Sequence, residues 1–197
     1  RPRPVLTEEE QQRGWVAFVP SDPDGIGPLA FPTRSEIDAT VMAFASPGEF
    51  EPITFGIYAA RDLSQVVAEP GQFIGGRNSR IGPASIDVRT VRLWDQRTSW
   101  RSDRFYTVPE LLEKTYGTDI KQGTFQQFWV TIRVPEDATD GAYEGYIRLT
   151  VDGHHTLLPV HLRVLPFQLK EPQGKVFGLW PDTARWTEYG EQQVLDE

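Results

Sequence analysis

The side chains best suited to a ligand are aromatic. Trp94, Trp100, Phe105 and Tyr106 cluster in a stretch rich in Arg and Asp. Ring faces stack on the C–H surfaces of sugars while neighbouring charged groups take the hydroxyls, so Trp94, Trp100 and Tyr106 are candidate glycan contacts. The competing reading is that these rings pack into a core or against a neighbouring domain. Metal chemistry has little to stand on. His154 and His155 are adjacent and point to opposite faces of an extended chain. His155 and His161 share a face, but six residues of strand separate them by roughly 20 Å. One ion cannot bridge that distance. Asp22-Pro23-Asp24-Gly25 has the acids of a calcium loop, but Pro23 and the missing downstream Glu leave a turn as the better reading. Gly25-Ile26-Gly27 lacks the third glycine and the helix of a dinucleotide site. No Gly-x-Ser-x-Gly elbow occurs. The absence of Cys removes disulfides, thiol catalysis and thiolate metal sites together. No metal and no cofactor is expected.

Charge narrows the partners. The chain carries 20 basic and 28 acidic side chains, net −8, and no basic run, which disfavours nucleic acid. No apolar stretch reaches the roughly 18 residues that a membrane span needs.

The elements that hold these residues read mostly as strands. Thr7-Glu8-Glu9-Glu10 is a capping box and predicts a short helix over 7–13. Trp15 to Val19 reads as a strand, and Ile37 to Ala45 as a second. Ile53, Phe55 and Ile57 alternate with Thr54, Gly56 and Tyr58, a half-buried strand. Ile86 to Trp94 changes face midway, the mark of a bulge. Val108 to Tyr116, with Pro109-Glu110-Leu111-Leu112, predicts a helical insertion. The strongest alternation lies in the last three strands. They carry Phe128, Val130, Ile132 and Val134, then Tyr143, Ile147, Leu149 and Val151, then Leu158, Val160, Leu162 and Val164. Asp152-Gly153 supplies a type I′ turn between the last two. Seven or so strands with Pro- and Gly-rich turns predict an all-β, two-layer antiparallel sandwich of the immunoglobulin or galactose-binding kind over 1–169. Residues 170–197 read as a linker and the first strand, Val176 to Trp180, of something that follows.

Three motifs carry a resemblance. Val134-Pro135-Glu136-Asp137-Ala138-Thr139-Asp140-Gly141-Ala142-Tyr143-Glu144-Gly145 resembles a segment common in accessory sandwiches of bacterial glycosidases. Ser46-Pro47-Gly48-Glu49-Phe50-Glu51-Pro52-Ile53-Thr54-Phe55 is similar to the start of one of their strands. The run from Leu158 to Leu169 is similar to their ending before a catalytic barrel. Over about residues 37–169 the chain therefore resembles the N-terminal sandwich of family 123-like glycoside hydrolases.

The resemblance implies a secreted or periplasmic multidomain enzyme, whose (β/α)8 barrel would begin at Val176-Phe177-Gly178-Leu179-Trp180. Its catalytic carboxylate pair would lie beyond Glu197. This part is then expected not to catalyse. The catalytic domain of the same parent chain, and a polysaccharide or other glycan, are its expected partners. Asp182 and Glu188 follow the presumed first barrel strand, at the end where barrel sites form, and are barrel-side candidates for substrate contact; solvated loop carboxylates are the alternative. Two other functions remain open, a carbohydrate-binding module and a freestanding protein-binding sandwich. In the motifs themselves, Gly141 and Gly145 read as backbone requirements. Tyr143 reads as a buried ring whose hydroxyl finds a partner at the sheet corner.

Overall fold

The computed structural model describes residues 3–21, 31–97, 103–170, 173, 174, 176 and 178. Twelve strands, two short α-helices and two single-turn 3-10 helices appear among them. The first helix, α1 (Glu8–Arg13), starts as its capping box requires: the Glu10 amide donates to Thr7 Oγ1 at 3.3 Å and the Thr7 amide to Glu10 Oε2 at 2.8 Å. A second box, Thr33 with Glu36, starts α2 (Arg34–Ile37). The strand expected from Ile37 therefore begins only at Val41.

The strands in chain order are β1 (Trp15–Phe18), β2 (Val41–Ala45), β3 (Phe50–Ala59), β4 (Leu63–Pro70), β5 (Phe73–Gly75) and β6 (Arg80–Ile81). They continue with β7 (Ile86–Arg97), β8 (Phe105–Glu113), β9 (Thr118–Ile120), β10 (Phe125–Arg133), β11 (Gly141–Val151) and β12 (His154–Val164). One five-stranded sheet runs β1-β3-β10-β7-β8. The other, of seven strands, runs β2-β12-β11-β4-β9, with β5 beside β11 and β6 beside β5. The fold is the expected all-β sandwich, with one departure from a purely antiparallel plan. The β2 strand pairs with β12 in parallel, Val41 opposite Val160 and Ala45 opposite Val164.

Alternation explains the core. Phe128, Val130 and Ile132 of β10 face Ile147, Leu149, Val160, Leu162 and Val164 of the opposite sheet, all buried. Phe55 and Phe128 are cross-strand partners whose rings stack with centroids 5.0 Å apart. The β3 strand is more buried than its alternation predicts. Tyr58 packs with Val16 and Phe18 in a second cluster on the outer face, against Leu6, Phe31 and Ile37. The N-terminal segment and α2 thus cover part of a sheet face that would otherwise be wet.

The expected helix at Val108 to Tyr116 is instead mostly β8. Its residues pair with β7 from Thr90↔Glu113 to Arg97↔Phe105, and this cross-strand ladder outweighs the local helix preference of Glu-Leu-Leu-Glu. As an edge strand, β8 tolerates Pro109, which donates no ladder hydrogen bond.

The motif residues behave as read. Tyr143 is 1% exposed, and its hydroxyl donates to the Thr139 carbonyl at 2.8 Å and meets Ser79 Oγ at 2.6 Å. A Cβ on Gly145 would lie 2.4 Å from the Phe73 ring, and Gly141 has φ +130°. Asp152 and Gly153 both take positive φ, +48° and +79°, as a type I′ turn demands.

Candidate functional site

The aromatic candidates sit on a two-stranded ribbon. The β10 strand accompanies β7 only from Ile86 to Thr90. Beyond Thr90, β7 continues with β8 alone. The register slips by one residue at Arg92/Leu93, where β8 carries an extra residue, so the bulge expected in this strand lies in its partner.

Side chains alternate, so Ile86, Val88, Thr90, Arg92, Trp94 and Gln96 share one face of β7. At Thr90 that face is still the inner surface of the sandwich, 6% exposed. By Trp94 it has run out from under the other sheet, and the indole is 45% exposed. Trp94 stands opposite Val108 and Gln96 opposite Tyr106, so the Trp94 and Tyr106 rings are diagonal neighbours on this face. Tyr106 is 48% exposed. Phe105, opposite Arg97, lies on the other face with the Arg97 guanidinium 5.1 Å from its ring centroid. The structure thus unites Trp94 and Tyr106, sets Phe105 apart, and removes all three from the core. Trp100, Asp182 and Glu188 lie outside the described residues, as does the Asp22–Gly25 turn. Most of the expected strand from Val176 to Trp180 does as well.

A cavity of about 240 Å³ opens at the root of the ribbon, lined among others by Thr90, Arg92, Glu113, Thr115 and Gln126. Arg92 joins it to the aromatic face. Its Nη1 is 2.7 Å from Glu113 Oε1, and its guanidinium carbon is 5.6 Å from the Trp94 ring centroid. Thr90 Oγ1 donates to the Glu113 carbonyl at 3.2 Å and lies 3.4 Å from Thr115 Oγ1. Gln126 Nε2 donates to the carbonyls of Val91 and Gln127 at 2.8 and 2.9 Å. Sequence reasoning passed over this polar cluster. The signal was present: Gln126-Gln127 opens a strand whose other positions alternate cleanly.

The carboxylates that clearly shift mostly serve the fold. A hydrogen bond from Arg34 holds Glu10 below the usual carboxylate range. Arg34 also bonds Asp38 and lowers it. The amides of Gln122 and Ser64 lower Asp62 and Asp152 respectively. Glu51 moves the other way. Burial raises it, the nearby charge of Glu49 adds to the rise, and the Phe44 amide opposes it. Glu49 itself is anchored, accepting from the Ser46 amide at 2.7 Å. His161 pairs with Glu144 and His155 with Thr150, each across the β11–β12 ladder.

The sequence matches no family model and no curated protein. Solved structures do match. A family 123 glycoside hydrolase from Clostridium perfringens superposes with a TM-score of 0.64 at 16% identity, over 78% of this chain and 27% of that one. The chain shares the fold of part of that hydrolase. It spans about a quarter of that protein's length. The PapD-like domain 7 of human CEP192 aligns over 66% of this chain and 84% of that one, with a TM-score of 0.38 and 9% identity.

Proposed function

We propose that this chain is a non-catalytic β-sandwich domain of a secreted, multidomain glycoside hydrolase-like protein, where it supports the catalytic barrel and contacts glycan. The observation that carries this reading is the likeness, at a TM-score of 0.64, to 27% of a family 123 glycoside hydrolase. A sandwich that accounts for a quarter of such an enzyme leaves most of the protein to house the chemistry. The three sequence motifs support the same reading. So does the use of four of the five shifted carboxylates, Glu51 being the exception. Glycoside hydrolysis needs two carboxyl groups flanking one bond, one kept protonated. Glu10, Asp38, Asp62 and Asp152 are instead held ionised against guanidinium or backbone amides.

The test is a panel of aryl glycosides offered to the pure 197-residue chain. No turnover is expected. Turnover that disappears on Glu51→Gln, or on changing any other carboxylate of the chain, overturns the proposal.

A further inference from the structure

We propose that Trp94, Gln96 and Tyr106, together with the cavity at the ribbon root, form one continuous groove for a neutral glycan chain. This gives a site and a ligand class to the glycan contact in the reading above and rests on that part of it.

Three observations converge. The first is continuity. Thr90 and Arg92 line the cavity and share their face of β7 with Trp94 and Gln96. From Thr90 to Gln96 that face runs roughly 20 Å, at about 3.3 Å per residue, which is long enough for more than one sugar ring. At about 240 Å³ the cavity itself is smaller than the roughly 300–1,000 Å³ of sites for drug-sized ligands, a size suited to one ring at the end of the groove.

The second is chemistry. A pyranose has a C–H face and a rim of hydroxyls that both donate and accept. The groove offers half-exposed rings for the face, at Trp94 and Tyr106. For the rim it offers the Gln96 amide and the Tyr106 hydroxyl outside, and the Thr90 and Thr115 hydroxyls, the Glu113 carboxylate and the Gln126 amide oxygen inside. Donors and acceptors are mixed, as a polyol requires.

The third is charge. Arg92 is the cation that links cavity and platform, and Glu113 neutralises it at 2.7 Å. At the cavity end a polyanion would find Arg92 already paired, so that end of the groove favours a neutral chain over a sulfated or phosphorylated one. The same ion pair braces the indole through the Arg92–Trp94 contact. Bracing lowers the ordering cost of binding.

The experiment titrates the 197-residue chain, by calorimetry and tryptophan fluorescence, with neutral hexasaccharides of glucose, mannose, galactose and N-acetylglucosamine in α and β linkage. Heparin serves as the polyanion. At least one neutral hexasaccharide binds, and heparin does not compete. Trp94→Ala and Tyr106→Ala each weaken binding about tenfold or more, while Phe105→Ala on the opposite face leaves it within about twofold. Thermal melts of each variant separate lost binding from a lost ribbon, and Gln96→Ala gives a milder second probe of the same face. Failure of every neutral hexasaccharide to bind overturns the groove, as does binding that survives Trp94→Ala or is exclusive to heparin. A chain that binds no sugar and hydrolyses none loses the groove but keeps its place as a supporting domain. A chain that hydrolyses glycosides loses the non-catalytic reading instead.

Discussion

Glu51 sits near the start of β3, where burial and the charge of Glu49 raise its carboxyl above the ordinary range. A carboxyl raised in the folded state stabilises while protonated. Its contribution is fully present below the unfolded value and lost as pH rises through the folded one. At neutral pH the charged form therefore weighs against the fold. Glu51→Gln keeps a carbonyl acceptor for the Phe44 amide and removes the repulsion from Glu49. It should raise the thermal midpoint at pH 7, and the gain should shrink to nothing as pH falls below the usual carboxylate range of about 4. A variant that melts at or below the parent at pH 7 would contradict this. Single residues were unevenly readable. Tyr143 announced itself, because a tyrosine between glycines at a strand start needs cover for its ring and a partner for its hydroxyl. Glu36 did not, although Thr33 and Glu36 repeat the spacing of Thr7 and Glu10. Its strand-like neighbours drew the reading towards β structure.

At the scale of elements, the β10, β11 and β12 strands were plain because each buries one face and wets the other. Ile147 and Leu162 are the tightest expression of that pattern, at 0% and 1% exposure on adjacent strands. Replacing either by Ala removes packed methyl groups and leaves a hole that the two sheets cannot close. Each should cost about 2–5 kcal/mol, read from denaturant unfolding. Losses under about 0.5 kcal/mol would mean that the side chains do not face inward. The β8 strand was misread for a physical reason. Its Pro109 to Lys114 run has helical local preference, and only the ladder to β7 makes it extended. That ladder is non-local, so no window of sequence contains it. The groove was half readable for the same cause. Trp94 and Tyr106 stand out by type, but Thr90, Glu113 and Gln126 become a cavity only once three strands are side by side.

The whole molecule depends on a pairing that sequence does not advertise. Among the described residues, β2 joins the seven-stranded sheet through β12 alone, with Val41 to Ala45 beside Val160 to Val164 in parallel. Contacts this far apart in the chain make folding slow, because loop closure must precede the contacts that reward it. The order of synthesis makes the delay unavoidable. While the ribosome is still making β12, β2 has already emerged and its sheet partner does not yet exist. For that interval it is an open edge, and its outward Met42 and Phe44, 75% and 65% exposed even in the finished fold, add apolar surface to it. Ribosome-arrested chains displaying residues 1–153 should therefore be cut by protease within residues 41–45, and chains displaying residues 1–170 should resist. Equal resistance in both would mean that β2 finds its place without β12. If the contrast holds, birth order sets a deadline for this domain: the early strand stays exposed until the last one arrives.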